Sequence, residues 1–197
     1  MRRHGLIIVV SAPSGAGKST LCGRLVRKLR PLKYSISYTT RPPRPGEKDG
    51  VDYFFTSVTE FREMMRGNKF VEWACVHGNY YGTPKHFLEK ETRDGNDIVL
   101  DIDVQGGEKI RETFTDAVMI FIMAPSMSVL ERRLRGRKKD SEDVIRRRLR
   151  DARKEIRYLP KYTYLVINDD LARATRDMEA IIAAEHLKLK HRTISGF

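Results

Sequence analysis

Four near-continuous apolar runs rich in β-branched residues punctuate the chain: LIIVV at 6–10, IVLDI at 98–102, VMIFIM at 118–123 and YLVI at 164–167. Runs without polar alternation predict strands covered on both faces, as in a parallel sheet. Between them the apolar positions fall at helical spacing. Leu21, Leu25 and Leu29 recur every fourth residue, and amphipathic patterns cover 126–135, 141–157 and 171–190. Strands alternating with helices predict a doubly wound α/β sheet. Each run ends in polar residues: SAPSGAGKST after Val10, Asp101 and Asp103 around the second, APS after Met123 and NDD after Ile167. Parallel sheets bind ligands at the carboxyl ends of their strands, so a site is expected there.

Two segments break the alternation. The region between Lys33 and Asn96 is rich in aromatic residues and turn signals, with RPPRPGEKDG near its start, HGNYYGTP later and short pieces such as DYFF between. It predicts a small mixed or antiparallel insertion beside the sheet. From Arg132 to Arg153 the chain is strongly basic, interrupted at Gly136, and reads as a helix, a charged turn and a second helix. Arg146, Arg147 and Arg150 read as a solvated face.

The stretch SAPSGAGKST follows a strand and opens a helix, the context a phosphate-binding loop requires. Gly15 and Gly17 let successive backbone N–H groups turn inward on an anion. Lys18 can reach the β- and γ-phosphates of a nucleotide, and the Ser19 hydroxyl can serve Mg²⁺. The helix N-terminus adds its unpaired N–H groups and dipole. Ala12 stands where such loops usually begin with glycine, which is tolerable wherever its φ is negative.

Composition adds one unusual feature. The 197 residues suffice for one domain with insertions, but the formal charge is +12 and the pI near 9.8. This balance favours an anionic partner, and by itself does not choose among nucleic acid, an acidic membrane surface and small phosphorylated molecules. No apolar run approaches the length of a membrane span, and the N-terminal stretch passes into the phosphate loop without a cleavage site, so a soluble cytoplasmic protein is expected. Cys22 and Cys75 are far apart and read as buried reduced thiols, and the five histidines show no metal-ligand spacing.

SAPSGAGKST, SYTTRPPRPGEKDGVDYFF, FVEWACVHGNYYGTP, DIDVQG and VINDD, in this order, closely resemble the bacterial guanylate kinases. The resemblance implies a P-loop kinase core (1–33, 97–125 and 160–197), a GMP-binding region (34–96) and a helical lid (126–159). It implies transfer of the γ-phosphoryl group of ATP to GMP or dGMP, with Mg²⁺ as cofactor. ATP would be held by Ser14, Gly15, Ala16, Gly17, Lys18, Ser19 and Thr20, with Asn168 and Asp169 near its base. For GMP the phosphate falls to Arg41, Arg44, Tyr53 and Tyr81. The two arginines straddle a pair of prolines, and guanidinium forks suit bidentate phosphate contacts. Guanine presents N–H and N–H₂ donors that one carboxylate can accept together; the resemblance gives that role to Glu72, with Asp103 at the amino group and the hydroxyls of Ser37 and Thr83 near O6. Asp101 would orient Lys18 or the Mg²⁺ hydration shell, and Ser19 would be a direct ligand. Lys18, Arg41, Arg137 and Arg148 would stabilise the transferring phosphoryl group. Two departures stand out: Thr83 where the family often has serine, and Lys138 where Gly-Arg-Gly is usual, which stiffens the turn carrying Arg137.

The implied partners are small molecules, with no specific nucleic acid and no membrane, and homo-oligomers stay open. Rival readings are a P-loop kinase for another substrate such as a sugar phosphate, a non-catalytic interaction module of the same fold, and a nucleic-acid-binding protein suggested by charge alone.

Overall fold

A computed structural model describes residues 4–76, 78–136 and 141–188. In chain order the elements are β1 (Ile7–Ser11), α1 (Lys18–Lys28), β2 (Leu32–Tyr34), β3 (Tyr38–Thr39), β4 (Phe54–Phe55), α2 (Val58–Arg66), β5 (Phe70–Val76) and β6 (Asn79–Pro84). There follow α3 (Lys85–Arg93), β7 (Asp97–Asp101), α4 (Val104–Thr113), β8 (Val118–Met123), α5 (Met127–Gly136), α6 (Glu142–Ile156), β9 (Tyr164–Ile167) and α7 (Leu171–Leu187). A short 3₁₀ turn, Leu159–Lys161, leads from α6 to β9.

The main sheet is parallel throughout, in the order β2-β7-β1-β8-β9. Alternate residues of its strands feed two cores. Ile8, Val10, Val99, Ile120, Ile122 and Val166 pack with α1, α5, α6 and α7, while Val9, Ile98, Leu100 and Met119 pack with Leu88 of α3 and Ile110 of α4. The doubly wound layering predicted from the apolar runs is therefore observed. β2 is an addition. With only LKY to show, it carries no apolar run, and it is a strand because Leu32, Lys33 and Tyr34 pair with Asp97, Ile98 and Val99 of β7.

The aromatic segment builds a second, mixed sheet, β4-β3-β6-β5, in which β3 and β4 are parallel and the other pairs antiparallel. Its helix α2 starts at a capping box: Ser57 Oγ accepts the Glu60 N–H and Glu60 Oε2 accepts the Ser57 N–H. The core of this unit is aromatic. Phe61 stacks on Phe70 at 4.5 Å and on Tyr80 at 5.4 Å, and Tyr38 stacks on Phe54 at 4.8 Å. The unit is fastened to the main sheet through α4, where Lys109 lies 4.6 Å from the Trp73 ring centroid and donates to the Trp73 carbonyl.

Two expectations need correction. The thiol of Cys75 is exposed, unlike the buried Cys22, because Cys75 alternates with the inward Glu72 and Ala74 side of β5. The last helix ends at Leu187, three residues short of the pattern, where Lys188 turns to extended backbone.

Gly82 in β6 sets the tightness of the aromatic core, since a Cβ there would lie 2.8 Å from Phe70 and 3.0 Å from Phe61. Gly82→Ala is expected to lower stability by about 1–3 kcal/mol through overpacking. A urea midpoint that does not move would mean the rings have room to yield.

Candidate active site

The carboxyl ends of β1 and β7 lie side by side, with Val10 paired to Asp101. The loop after β1 and the acid that ends β7 therefore meet without any long-range reach. Gly15 and Gly17 both have positive φ, 95° and 93°, a backbone that L side chains rarely adopt. Ala12 is not among the positive-φ residues, so the alanine is tolerated there. Gly17 is also hemmed in from behind. A Cβ would come within 2.3 Å of Asn168 Nδ2, which donates to the Ala16 carbonyl at 2.7 Å. Asn168, 6% exposed, is thus a brace under the loop, and its own carbonyl accepts from Arg133 of α5 at 2.8 Å. On the other side Gly15 sits against Leu130 and Leu134 of α5.

Lys18 opens α1 and folds back over the loop, its Nζ 2.8 Å from Asp101 Oδ1 and 2.7 Å from the Ile102 carbonyl. Burial disfavours the ammonium, but the Asp101 carboxylate outweighs it and raises the Lys18 pKa. Asp101 in turn is held below the usual carboxylate range: burial works against it, and Lys18, the Ser19 hydroxyl and Tyr34 overcome that. The Tyr34 hydroxyl donates to Asp101 Oδ2 at 2.8 Å.

Across the cleft from the loop stands Glu72. It is 5% exposed, on the inward face of β5, and accepts from the Thr83 hydroxyl at 2.6 Å through Oε1. Its other oxygen faces α4, where Gly106 makes room: a Cβ would lie 2.8 Å from Glu72 Oε2. Asp103 caps α4 by accepting the Gly106 N–H at 2.9 Å. Burial pushes the Glu72 pKa up to about 7; Thr83 opposes the rise, Asp103 adds to it and Lys109 opposes it.

Ser14, Gly15, Gly17, Lys18, Ser19, Thr20, Ser37, Tyr53, Glu72, Tyr81, Asp101 and Asp103 all line one cleft of about 340 Å³. Thr83 is behind Glu72 and Ala16 is buried beneath the loop. Arg41 stands at the edge, paired with Glu47 at 2.9 Å and 5.4 Å from the Tyr53 ring, while Arg44 is exposed and its backbone N–H is taken by Glu47. Arg148 is half-buried on α6 and Asp169 is exposed after β9. Arg137 lies outside the described residues. Two participants were not singled out from the sequence. Tyr34 is signalled only by ending β2, whereas Glu155 stands seven residues after Arg148, on the same face of a helix.

The model of the guanylate kinase family matches residues 4–185. The chain belongs to the guanylate kinase family. It is 49% identical over 189 residues to the guanylate kinase of Caldanaerobacter subterraneus subsp. tengcongensis, covering 96% of this chain and 92% of that one. With the guanylate kinase of Syntrophotalea carbinolica it shares 50% identity over 185 residues, 94% of this chain and 88% of the relative. The crystal structure of guanylate kinase from Anaplasma phagocytophilum superposes with a TM-score of 0.82 at 34% identity, covering 97% of this chain and 91% of that chain. The chain is accordingly an ATP:GMP phosphotransferase, forming ADP and GDP. The sugar-phosphate kinase and the non-catalytic module both give way to this.

The position of Glu72 has a consequence for stability. A folded-state pKa near 7, raised from 4.5, means the native protein holds a proton that the unfolded chain has released. Stability contributed by Glu72 is therefore full below about pH 4.5 and falls as pH rises to about 7, by roughly 1.4 kcal/mol per unit at most. Glu72→Gln lacks this slope. Between pH 5 and pH 8 the wild type should lose denaturation free energy relative to the variant by about 2–3 kcal/mol. Parallel pH profiles for the two would contradict the burial of an ionisable carboxyl at this site.

Proposed function

We propose that the cleft binds ATP and GMP on opposite sides, and that Glu72 selects the acceptor by reading guanine. The observation that carries this is a buried carboxylate, one oxygen fixed by Thr83 and the other beside a glycine, facing the same cleft as the phosphate loop. Such a group accepts two donors at once, and guanine offers two on one edge. Adenine would present a lone pair to the same charge. Ser37 and Thr83 add hydroxyls, Thr83 through its hold on Glu72, and Asp103, lining the same cleft, serves as a second acceptor for the exocyclic amino group.

The phosphate of GMP falls to Arg41, Arg44, Tyr53 and Tyr81. Arg41 is already oriented by Glu47, and the two tyrosine rings meet edge to face at 5.9 Å. Ser14 to Thr20 cradle the ATP phosphates, with Lys18 moving between Asp101 and a phosphate oxygen. Asn168 acts from behind the loop rather than on the adenine ring, and Asp169 is the exposed polar group nearest in sequence.

The donor set suits Mg²⁺: a serine hydroxyl and a carboxylate are hard oxygen ligands, and a magnesium ion that arrives on phosphates needs few protein atoms. Both Asp101 oxygens already have partners, which favours contact through water. Among the described residues no cluster of three or more His, Cys, Asp or Glu could hold a metal by itself. When bound, Mg²⁺ neutralises charge on the transferred phosphoryl group. The chain's own part is to align the two nucleotides, exclude water and bring Arg148, with Arg137, onto the equatorial oxygens.

Exclusion of water requires residues 34–96 and 126–159 to close over the core, with hinges near 33–35, 94–96, Ser126 and Pro160. Among the described residues no helix is long and apolar enough to cross a membrane, and an exposed thiol at Cys75 fits a reducing cytoplasm. The basic charge serves phosphorylated small molecules here, not a specific nucleic acid.

Glu72→Ala should lower kcat/KM for GMP by at least about tenfold while the dissociation constant for Mg·ATP alone changes little. A fall of less than about threefold in GMP turnover would remove Glu72 from the recognition of guanine.

A further inference from the structure

Tyr34 ends β2, the short strand made by its pairing with β7, and its backbone stands opposite Val99. Residues opposite one another in a sheet share a face, and so do residues two apart along a strand. Val99 and Asp101 are therefore on the Tyr34 side of the sheet, with Asp101 about 6–7 Å further along β7. A tyrosine side chain spans that offset, and the hydroxyl donates to Asp101 Oδ2 at 2.8 Å. The ring packs against the buried cluster that contains Leu21, Cys22 and Leu25 of α1. A phenylalanine would serve that packing equally, so packing does not account for the hydroxyl. Burial pushes the phenol pKa well above its ordinary value and the Asp101 charge adds to the rise, so the proton stays on the oxygen and the group is a permanent donor.

We propose that Tyr34 is a positioning residue for phosphoryl transfer: its hydroxyl locks the Asp101 carboxylate by one oxygen, so that the other holds the Lys18 ammonium in a single place over the phosphate loop. This rests on the reading that Lys18 meets the ATP phosphates. Among the described residues Tyr34 does not line the cleft, whereas Asp101 and Lys18 both do, so the hydroxyl acts through Asp101 and not on a substrate. A carboxylate turns readily about its last bond, because that torsion has broad wells. Lys18 alone, on a long flexible stem, does not stop it. With Tyr34 on Oδ2, Oδ1 keeps a fixed direction 2.8 Å from Lys18 Nζ, and the Ile102 carbonyl takes a second ammonium hydrogen at 2.7 Å. An ammonium carries three donors, so one remains for a phosphate oxygen, aimed by the other two. The Asp101 side chain is 7% exposed, so loss of the Tyr34 donor leaves Oδ2 short of a partner with little water to replace it. The carboxylate then turns to share both oxygens with Lys18 and draws the ammonium off line. Misplacing a charge that stabilises the transition state is felt in the chemical step, while binding of the acceptor nucleotide is spared.

The test compares wild type with Tyr34→Phe, which keeps the ring and removes only the donor, by steady-state kinetics with Mg·ATP and GMP and by calorimetry of GMP binding to the full chain. The stoichiometry of GMP binding normalises kcat to the folded fraction, so a merely structural role, which lowers the number of binding sites, does not move the normalised value. Normalised kcat should fall by at least about fivefold in the variant, while the KM and the dissociation constant for GMP stay within about twofold of wild type. A smaller fall in kcat, or a loss carried by the KM for GMP, overturns the proposal. Should the variant fail to fold, wild-type protein carrying an isotope label at tyrosine Cζ decides. Its Tyr34 resonance should shift when Mg·AMP-PNP, a non-hydrolysable ATP analogue, saturates the loop; a resonance that does not move overturns the positioning role. Wild type that neither binds Mg·AMP-PNP nor forms ADP with GMP defeats instead the reading of the loop, whereas an active wild type with an unslowed Tyr34→Phe defeats only the role of Tyr34.

Discussion

The parallel pairing of β1 with β7, in the register that sets Val10 beside Asp101, is the constraint on which the rest of the site depends. It brings a phosphate-binding loop and a carboxylate to the same sheet end, and so lets one lysine serve both. An ammonium tucked over a backbone nest would be costly if it were alone. Asp101 supplies the counter-charge at 2.8 Å, and the Tyr34 hydroxyl holds Asp101 in place. The Lys18 side chain is thereby held over the loop, its charge met by Asp101 and its ammonium also donating to the Ile102 carbonyl.

Around this pair the molecule is arranged as three supports for two ligand positions. The loop is braced from below by Asn168 and from the lid side by Leu130 and Leu134. The opposite wall is set by α4, whose capping residue Asp103 and glycine Gly106 lie directly against Glu72. One short helix start thus determines where the buried acid stands, and Lys109 on the same helix ties it to the strand that carries that acid. Function and packing are not separable here: Gly17, Gly82 and Gly106 are each small because a particular side chain already fills the space a Cβ would need.

The main sheet was readable from the chain because buried parallel strands leave long β-branched runs, and the loop because Gly-Lys-Ser after such a run has few other uses. β2 was not, since three residues of mixed polarity become a strand only by pairing with a distant neighbour. Cys75 misled because alternation in β5 is anchored by the buried Glu72, so an apolar-looking position points outward. The candidate ligand groups of the cleft were visible as residue types, but their division of labour was not. Asn168 acts on the loop backbone and Thr83 acts on Glu72, relations that depend on which strand ends meet. Glu155 carried no local signal beyond its helical phase with Arg148.

The central claim is that a bidentate carboxylate reads the guanine edge in a kinase that takes ATP as donor. The most direct measurement is kcat/KM for GMP, inosine monophosphate and AMP with the wild-type protein under one set of conditions. Inosine monophosphate keeps the ring N–H and the oxo group but lacks the amino donor, and AMP lacks both donors. The account predicts a ladder: inosine monophosphate poorer than GMP by about tenfold to a hundredfold, for one charge-assisted bond lost, and AMP poorer by at least about a further hundredfold. Equal use of GMP and inosine monophosphate, or AMP turned over as readily as GMP, would contradict it.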